Sequence, residues 1–109
     1  MRALDDLVRA GKIRYLGCSN YPDWQIVESQ RIAQTEHLTS FISCQPQYNL
    51  LNREIEQSIV PLCERYGLGI IPYFPLAGGF LTGLYRRGEP LPPGSRGANR
   101  PTFARWTSI

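Results

Sequence analysis

The side chains that could do chemistry in this 109-residue chain stand at the ends of short apolar runs. Ser19 and Asn20 follow Ile13-Arg14-Tyr15-Leu16-Gly17-Cys18, Gln45 closes Phe41-Ile42-Ser43-Cys44, and Tyr73 follows Gly69-Ile70-Ile71-Pro72. Hydroxyl and carboxamide groups on neighbouring strands can read another carboxamide, and a tyrosine ring can stack on a flat heteroaromatic. The set is neutral and holds no acid-base pair, so it describes a binding wall and not a proton-transfer centre. A plain structural role is open to each residue as well: Ser19 and Asn20 as helix caps, Gln45 as partner of a buried backbone group, Tyr73 as core.

Beyond Tyr73 the chain reads Phe74-Pro75-Leu76-Ala77-Gly78-Gly79-Phe80-Leu81-Thr82-Gly83. Gly78, Gly79 and Gly83 lack the Cβ that would keep an anion away from main-chain N–H groups, and a following helical turn could add its positive end. A simple tight turn accounts for the same glycines.

These positions need a scaffold that places strand ends together. Leu4, Leu7 and Val8 share one helical face, with Gly11 as a stop, which predicts a helix from Arg2 to Ala10. A strand over Ile13–Cys18 follows, then a helix from Pro22 to about Glu36, then a strand over Phe41–Gln45 closed by Pro46. Asn49 to Asn52 reads as a connector, with Asn52 as N-cap of a third helix. On a wheel of 100° per residue Ile55, Ile59, Leu62, Cys63 and Tyr66 form its apolar stripe. Pro61 is expected to kink that helix or end its first half, and Gly67 to terminate it ahead of a buried parallel strand.

Such alternation implies parallel strands joined by right-handed crossovers. An open doubly wound sheet and part of a closed (β/α)8 barrel both fit. Three strands are too few for either, and a barrel takes about 250 residues, so the expectation is a partial structure. Two segments are expected: partial barrel over 1–85, and a basic Pro/Gly-rich loop over 86–109 in which only Thr102 to Trp106 hints at a helix.

The composition, 42% hydrophobic and 19% charged, is that of a soluble globular domain. No apolar run approaches the roughly 20 residues that span a bilayer, and Met1-Arg2-Ala3-Leu4-Asp5-Asp6 is acidic where a signal peptide would be basic, so a cytoplasmic location without membrane contact is expected. The basic excess lies in Arg86, Arg87, Arg96, Arg100 and Arg105, set against Glu89 alone. Aromatic residues sit in core positions and not among these arginines, so nucleic acid is not the expected partner. Cys18, Cys44 and Cys63 lie far apart among apolar neighbours and read as reduced core residues, and His37 as a surface residue at a helix end; no metal site is expected.

Gly17-Cys18-Ser19-Asn20, Gln45-Pro46-Gln47-Tyr48-Asn49-Leu50-Leu51 and Pro72-Tyr73-Phe74-Pro75-Leu76-Ala77-Gly78-Gly79-Phe80-Leu81-Thr82-Gly83 resemble three consecutive strand-end motifs of the aldo-keto reductase family. The resemblance runs in order over nearly the whole chain and extends to Gly94-Ser95-Arg96. It implies a (β/α)8 barrel that carries NADP(H) and reduces aldehydes and ketones, with this chain holding the fifth to seventh strands. By resemblance Ser19, Asn20 and Gln45 hold the nicotinamide carboxamide, and Tyr73 stacks on the ring. Phe74, Leu76 and Gly79 fall in the stretch whose main chain faces the pyrophosphate, and Arg96 matches a residue that reaches the adenosine phosphate.

Two positions depart from the family pattern: Phe74 stands where serine is common and Leu84 where lysine is common. No position matches the catalytic Asp, Tyr, Lys and His that the resemblance implies. The isolated chain is therefore expected to be inactive and to self-associate through unpaired strand edges. A non-catalytic binding or regulatory module derived from the barrel is the alternative.

Overall fold

The computed structural model describes residues 1–99, so the helix expected over Thr102 to Trp106, with Arg100 and Arg105, lies outside the described residues. Helices and strands alternate as α1 (Arg2–Arg9), β1 (Leu16–Ser19), α2 (Asp23–Thr35), β2 (Phe41–Gln45), α3 (Ile59–Tyr66) and β3 (Gly69–Ile70), with 3-10 turns at Glu54–Gln57 and Ala77–Thr82. The strands form one parallel sheet in the order β1-β2-β3. Leu16, Cys18, Phe41 and Cys44 from the sheet meet Ile26 of α2 and Cys63 of α3 in one core, with Met1 and Val8 packed against it from the α1 end. A single shared core puts the helices on one face of the sheet, whereas a doubly wound fold covers both. No helix among the described residues is long and apolar enough to cross a membrane.

The opposite face of β1 carries Gly17 and Ser19, which alternate with buried Leu16 and Cys18. Gly17 is required by close approach: a Cβ there would come within 2.4 Å of Ser43 Oγ and 3.3 Å of the Ser43 carbonyl oxygen. The register steps from Leu16↔Phe41 to Gly17↔Ser43, which leaves Ile42 as an extra residue. That step is why Phe41 and Cys44, three positions apart, both face the helices.

Two strand boundaries, those of β1 and β3, differ from the sequence expectation, each for a non-local reason. β1 starts at Leu16 and not at Ile13, because the segment before Phe41 is tied elsewhere: Thr39 gives both its N–H (2.8 Å) and its hydroxyl (2.7 Å) to Asp5 Oδ1. As expected from Pro61, the third helix is split, at Ser58, into the 3-10 turn and α3. Pro61 has no N–H to give the Gln57 carbonyl and its ring would crowd it, so the chain breaks there and Pro61 falls in the first turn of α3, where no donor is needed. Asn52, expected as the N-cap, stands one residue too early: the 3-10 turn starts from Arg53 and α3 from Ser58, and Asn52 Oδ1 accepts only the Glu54 N–H at 3.4 Å, while Gly67 closes α3 in the left-handed conformation (φ 67°) as expected.

The third strand, expected to be a buried run, is two residues long and Ile71 beside it is half exposed. Its pairing with β2 continues beyond Ile70 with one rung missing. Ile71 N–H reaches the Cys44 carbonyl and Tyr73 N–H the Pro46 carbonyl, both at 2.9 Å, but between them Pro46 has no N–H to donate. β3 is the edge of the described sheet, which explains both its exposure and its tolerance of Pro72.

Asp5 is 3% exposed and fastens α1 to the exit of α2. Hydrogen bonds from the Thr39 side chain and backbone, then from Arg9, hold its carboxyl down from 3.8 to about 2. That contribution to stability is complete above the ordinary carboxylate range and is lost as pH falls toward 2. Asp5→Asn should lower the urea midpoint at pH 6, and the difference from the parent should shrink between about pH 4 and 2, as read from paired denaturation curves.

Cys18, Cys44 and Cys63 are free, buried and grouped. Burial, reinforced by the neighbouring thiols, pushes Cys44 up to about 12 and raises the other two. A thiol-reactive dye at pH 8 should therefore label none of the three in the folded chain and all three in denaturant, where a rapid native-state reaction would contradict this packing.

Candidate functional site

Parallel strands deliver their carboxyl ends to one edge of the sheet, and there the expected residues meet. Ser19 and Gln45 are register partners, and the Ser19 hydroxyl donates to the Gln45 carbonyl at 2.9 Å. Asn20 follows in the left-handed region (φ 57°), which asparagine tolerates better than most residues. The carboxamides of Asn20 and Gln45 are exposed and have no protein partner among the described residues. Neither Ser19 nor Asn20 caps α2, whose N-cap is Pro22. Tyr73 joins the same edge through its hydrogen bond to Pro46 and is half-buried.

The chain after Tyr73 is bent sharply. Phe74 (φ 53°) and Ala77 (φ 49°) lie in the left-handed region without being glycine, at a cost of about 1–3 kcal/mol each. Asn49 over-determines this bend. Its Nδ2 donates to the Phe74 carbonyl at 3.1 Å, while its Oδ1 accepts the N–H groups of Leu51 and Asn52 at 2.9 Å each, and the side chain is buried. The Phe74 carbonyl also accepts the Ala77 N–H at 2.9 Å, and Ala77 is wholly buried. Sequence reading passed over Asn49 as part of a connector. The available signal was its spacing from Asn52, typical of a side chain that hydrogen-bonds backbone two and three residues on.

Gly78 and Gly79 (φ 69° and 106°) complete the bend, and a Cβ on Gly78 would meet no atom within 4 Å. The Gly79 N–H is already given to the Leu76 carbonyl at 2.9 Å. Gly79 thus contributes conformation, with the Tyr85 ring 3.9 Å from where its Cβ would stand; the open space lies over Gly78, and the Leu76 and Gly78 N–H groups have no backbone acceptor among the described residues.

Phe74, Leu76, Gly79, Leu84 and Arg96 line an open cleft of about 480 Å³. Arg96 reaches it because the following segment folds back: the Tyr85 ring stacks on Phe80 at 6.3 Å, and the Tyr85 hydroxyl accepts the Gly97 N–H at 3.1 Å. Arg96 Cζ lies 5.8 Å from the centroid of the Phe74 ring. Ser19, Asn20 and Gln45 stand outside this lining at the sheet edge. Tyr73 links the two groups, its ring meeting that of Phe74 edge-on at 5.5 Å.

Chemically this is a row of neutral hydrogen-bonding groups next to an aromatic ring, a bare backbone bend and one cation. It suits a flat amide-bearing ring joined to an anion. Tyr48, the nearby phenol, is occupied: it donates to Glu56 Oε1 at 2.6 Å, which raises its pKa, while Arg53 and then Tyr48 lower that of Glu56. Among the described residues no cluster of metal-ligating side chains occurs.

The sequence model of the Aldo/keto reductase family matches residues 1–108. This chain belongs to that family. It is 48% identical over 81 residues to the aldo-keto reductase dtxS3 of Metarhizium robertsii, covering 74% of this chain and 22% of that protein. It is 42% identical over 81 residues to the versiconal hemiacetal acetate reductase of Aspergillus parasiticus, covering 74% of this chain and 24% of the relative. Among solved structures, the glycerol dehydrogenase AKR11B4 from Gluconobacter oxydans superposes with a TM-score of 0.70 at 31% identity, over 98% of this chain and 31% of that one. The three βα units are thus a sector of a (β/α)8 barrel, and the chain spans about a quarter of the length of the relatives it matches.

Asn49 gives this aldo-keto reductase sector its measurable weak point. Asn49→Ala removes the bond to the Phe74 carbonyl and both bonds to Oδ1, leaving the Leu51 N–H without its acceptor while the Asn52 N–H keeps the Asn49 carbonyl, and should cost about 1–3 kcal/mol, as read from paired urea unfolding curves.

Proposed function

We propose that this chain supplies part of the NADP(H) cradle of an aldo-keto reductase whose whole length reduces an aldehyde or ketone. The observation that carries the reading is the meeting of Ser19, Asn20, Gln45 and Tyr73 at one sheet edge, directly before a cleft whose lining includes Arg96. On this reading the Asn20 and Gln45 carboxamides and the Ser19 hydroxyl grip the nicotinamide amide. The half-buried Tyr73 ring supports the pyridine face. The Leu76 N–H, with the open space over Gly78, receives the pyrophosphate, and Arg96 receives the ribose phosphate of the adenosine end.

When bound, the nicotinamide supplies the hydride. On this reading the residues present bind and orient; none of the described ones is placed to move a proton to a carbonyl oxygen, so no turnover is expected of the chain by itself. The cytoplasm is the proposed location. We assign residues 1–85 to the barrel sector and 86–109 to the basic segment, whose described part, 86–99, includes Arg96 at the cleft. The outer edges of β1 and β3 have no partner strand among the described residues, so self-association through them is part of the proposal.

Titration with NADPH, followed by nicotinamide fluorescence, should detect binding that Gln45→Ala weakens by roughly fivefold, the loss of about one hydrogen bond. No NADPH consumption should accompany it when an aromatic aldehyde is added. Absence of binding would remove the cradle assignment, and measurable reduction would contradict the lack of a catalytic group.

A further inference from the structure

Phe74 is an expensive residue where it stands. A bulky aromatic in the left-handed region carries local strain, and 43% of its surface stays exposed, so core packing does not explain it. Besides the Ala77 N–H on its carbonyl and the Tyr73 ring edge-on at 5.5 Å, two contacts define its setting. Asn49 pins its carbonyl from one side, and on the cleft side its ring lies under the guanidinium of Arg96, 5.8 Å from centroid to Cζ. Among the described residues Arg96 is the only charged one lining the cleft, and it forms no ion pair with another of them.

We infer that Phe74 is the perch of Arg96: its ring holds the guanidinium over the cleft, so that the arginine meets an incoming phosphate already oriented, and Phe74 thereby sets the preference for a nucleotide that carries a ribose phosphate monoester. This inference rests on the cradle reading above. An exposed arginine loses several rotamers on binding, and a ring face that restricts the guanidinium beforehand removes part of that cost. The ring face and a phosphate do not compete, because the guanidinium offers its π surface to the ring and its N–H edge to the anion. Asn49 acts one step back, since its hydrogen bond to the Phe74 carbonyl holds the bend that aims the ring.

The test uses the whole chain and two probes, 2′,5′-ADP and 5′-AMP, with dissociation constants measured by calorimetry. The parent should prefer 2′,5′-ADP. Arg96→Met should abolish the preference, Phe74→Leu should reduce it about two- to fivefold by removing the ring face, and Phe74→Tyr should retain it. A Phe74→Leu preference equal to the parent's, with Arg96→Met still losing it, overturns the perch and leaves the cradle standing. Tighter 2′,5′-ADP binding by Phe74→Leu would also overturn it, since the ring would then be holding the arginine away from the phosphate. If the parent binds neither probe, the cradle reading fails and the perch with it. Far-ultraviolet circular dichroism of each variant separates loss of fold from loss of preference.

Discussion

The hydrogen-bond ladder of β2 is the constraint from which the remaining geometry follows. As the central strand it satisfies its backbone on both sides, with β1 along Gly17 to Ser19 and with the β3 segment from Gly69 to Tyr73. Because all three strands run parallel, fixing the register at one rung fixes which side chains emerge together at the carboxyl edge. Slipping β2 by one residue would turn Gln45 toward the helices and Cys44 toward the cleft side. The buried contacts of Phe41 and Cys44 with α2 and α3 forbid that slip, so the apolar core and the polar edge specify each other.

The bend after Tyr73 adds a second layer to this arrangement. Left-handed Phe74 and Ala77 would not persist in an isolated peptide, where the strain of each has nothing to offset it. Here the offset is supplied by buried Ala77, by Asn49 and by the rung that carries Tyr73 to Pro46. The bend is thus an outgrowth of the β2 ladder, and the cleft it walls is formed before any ligand arrives. Preorganisation of this kind reduces the entropy lost on binding.

The strand tips were legible in the sequence because their causes are local. Short apolar runs, proline and glycine punctuate the chain strongly, and Ser19, Asn20, Gln45 and Tyr73 follow directly from where the runs stop. The burial of the three cysteines was legible for the same reason, although their grouping was not. What the sequence hid was set across strands. β3 looks longer from its own residues than it is, because the missing rung belongs to Pro46 on its neighbour, and β1 loses Ile13 to Tyr15 because Thr39 is engaged with Asp5. Asn49 lies 25 residues from the carbonyl it holds. Nothing about a phenylalanine foretells a left-handed backbone, since its intrinsic preference runs the other way.

Charge explains how the parts of the site divide the task. The sheet edge is neutral, so it can discriminate only through the geometry of donors and acceptors, and its members are held by the backbone ladder to suit. The cleft faces the opposite problem. With Leu84 apolar and the Gly79 N–H already spent on Leu76, little there offsets the charge of an anion, and the weight falls on Arg96. A single long cationic side chain is a poor anchor when free to swing, because ordering it consumes much of what the ion pair returns. On the proposed reading, restricting that arginine is accordingly more useful in this cleft than in one lined by several cations, and the strained, exposed aromatic ring beside it is where the fold would apply the restriction.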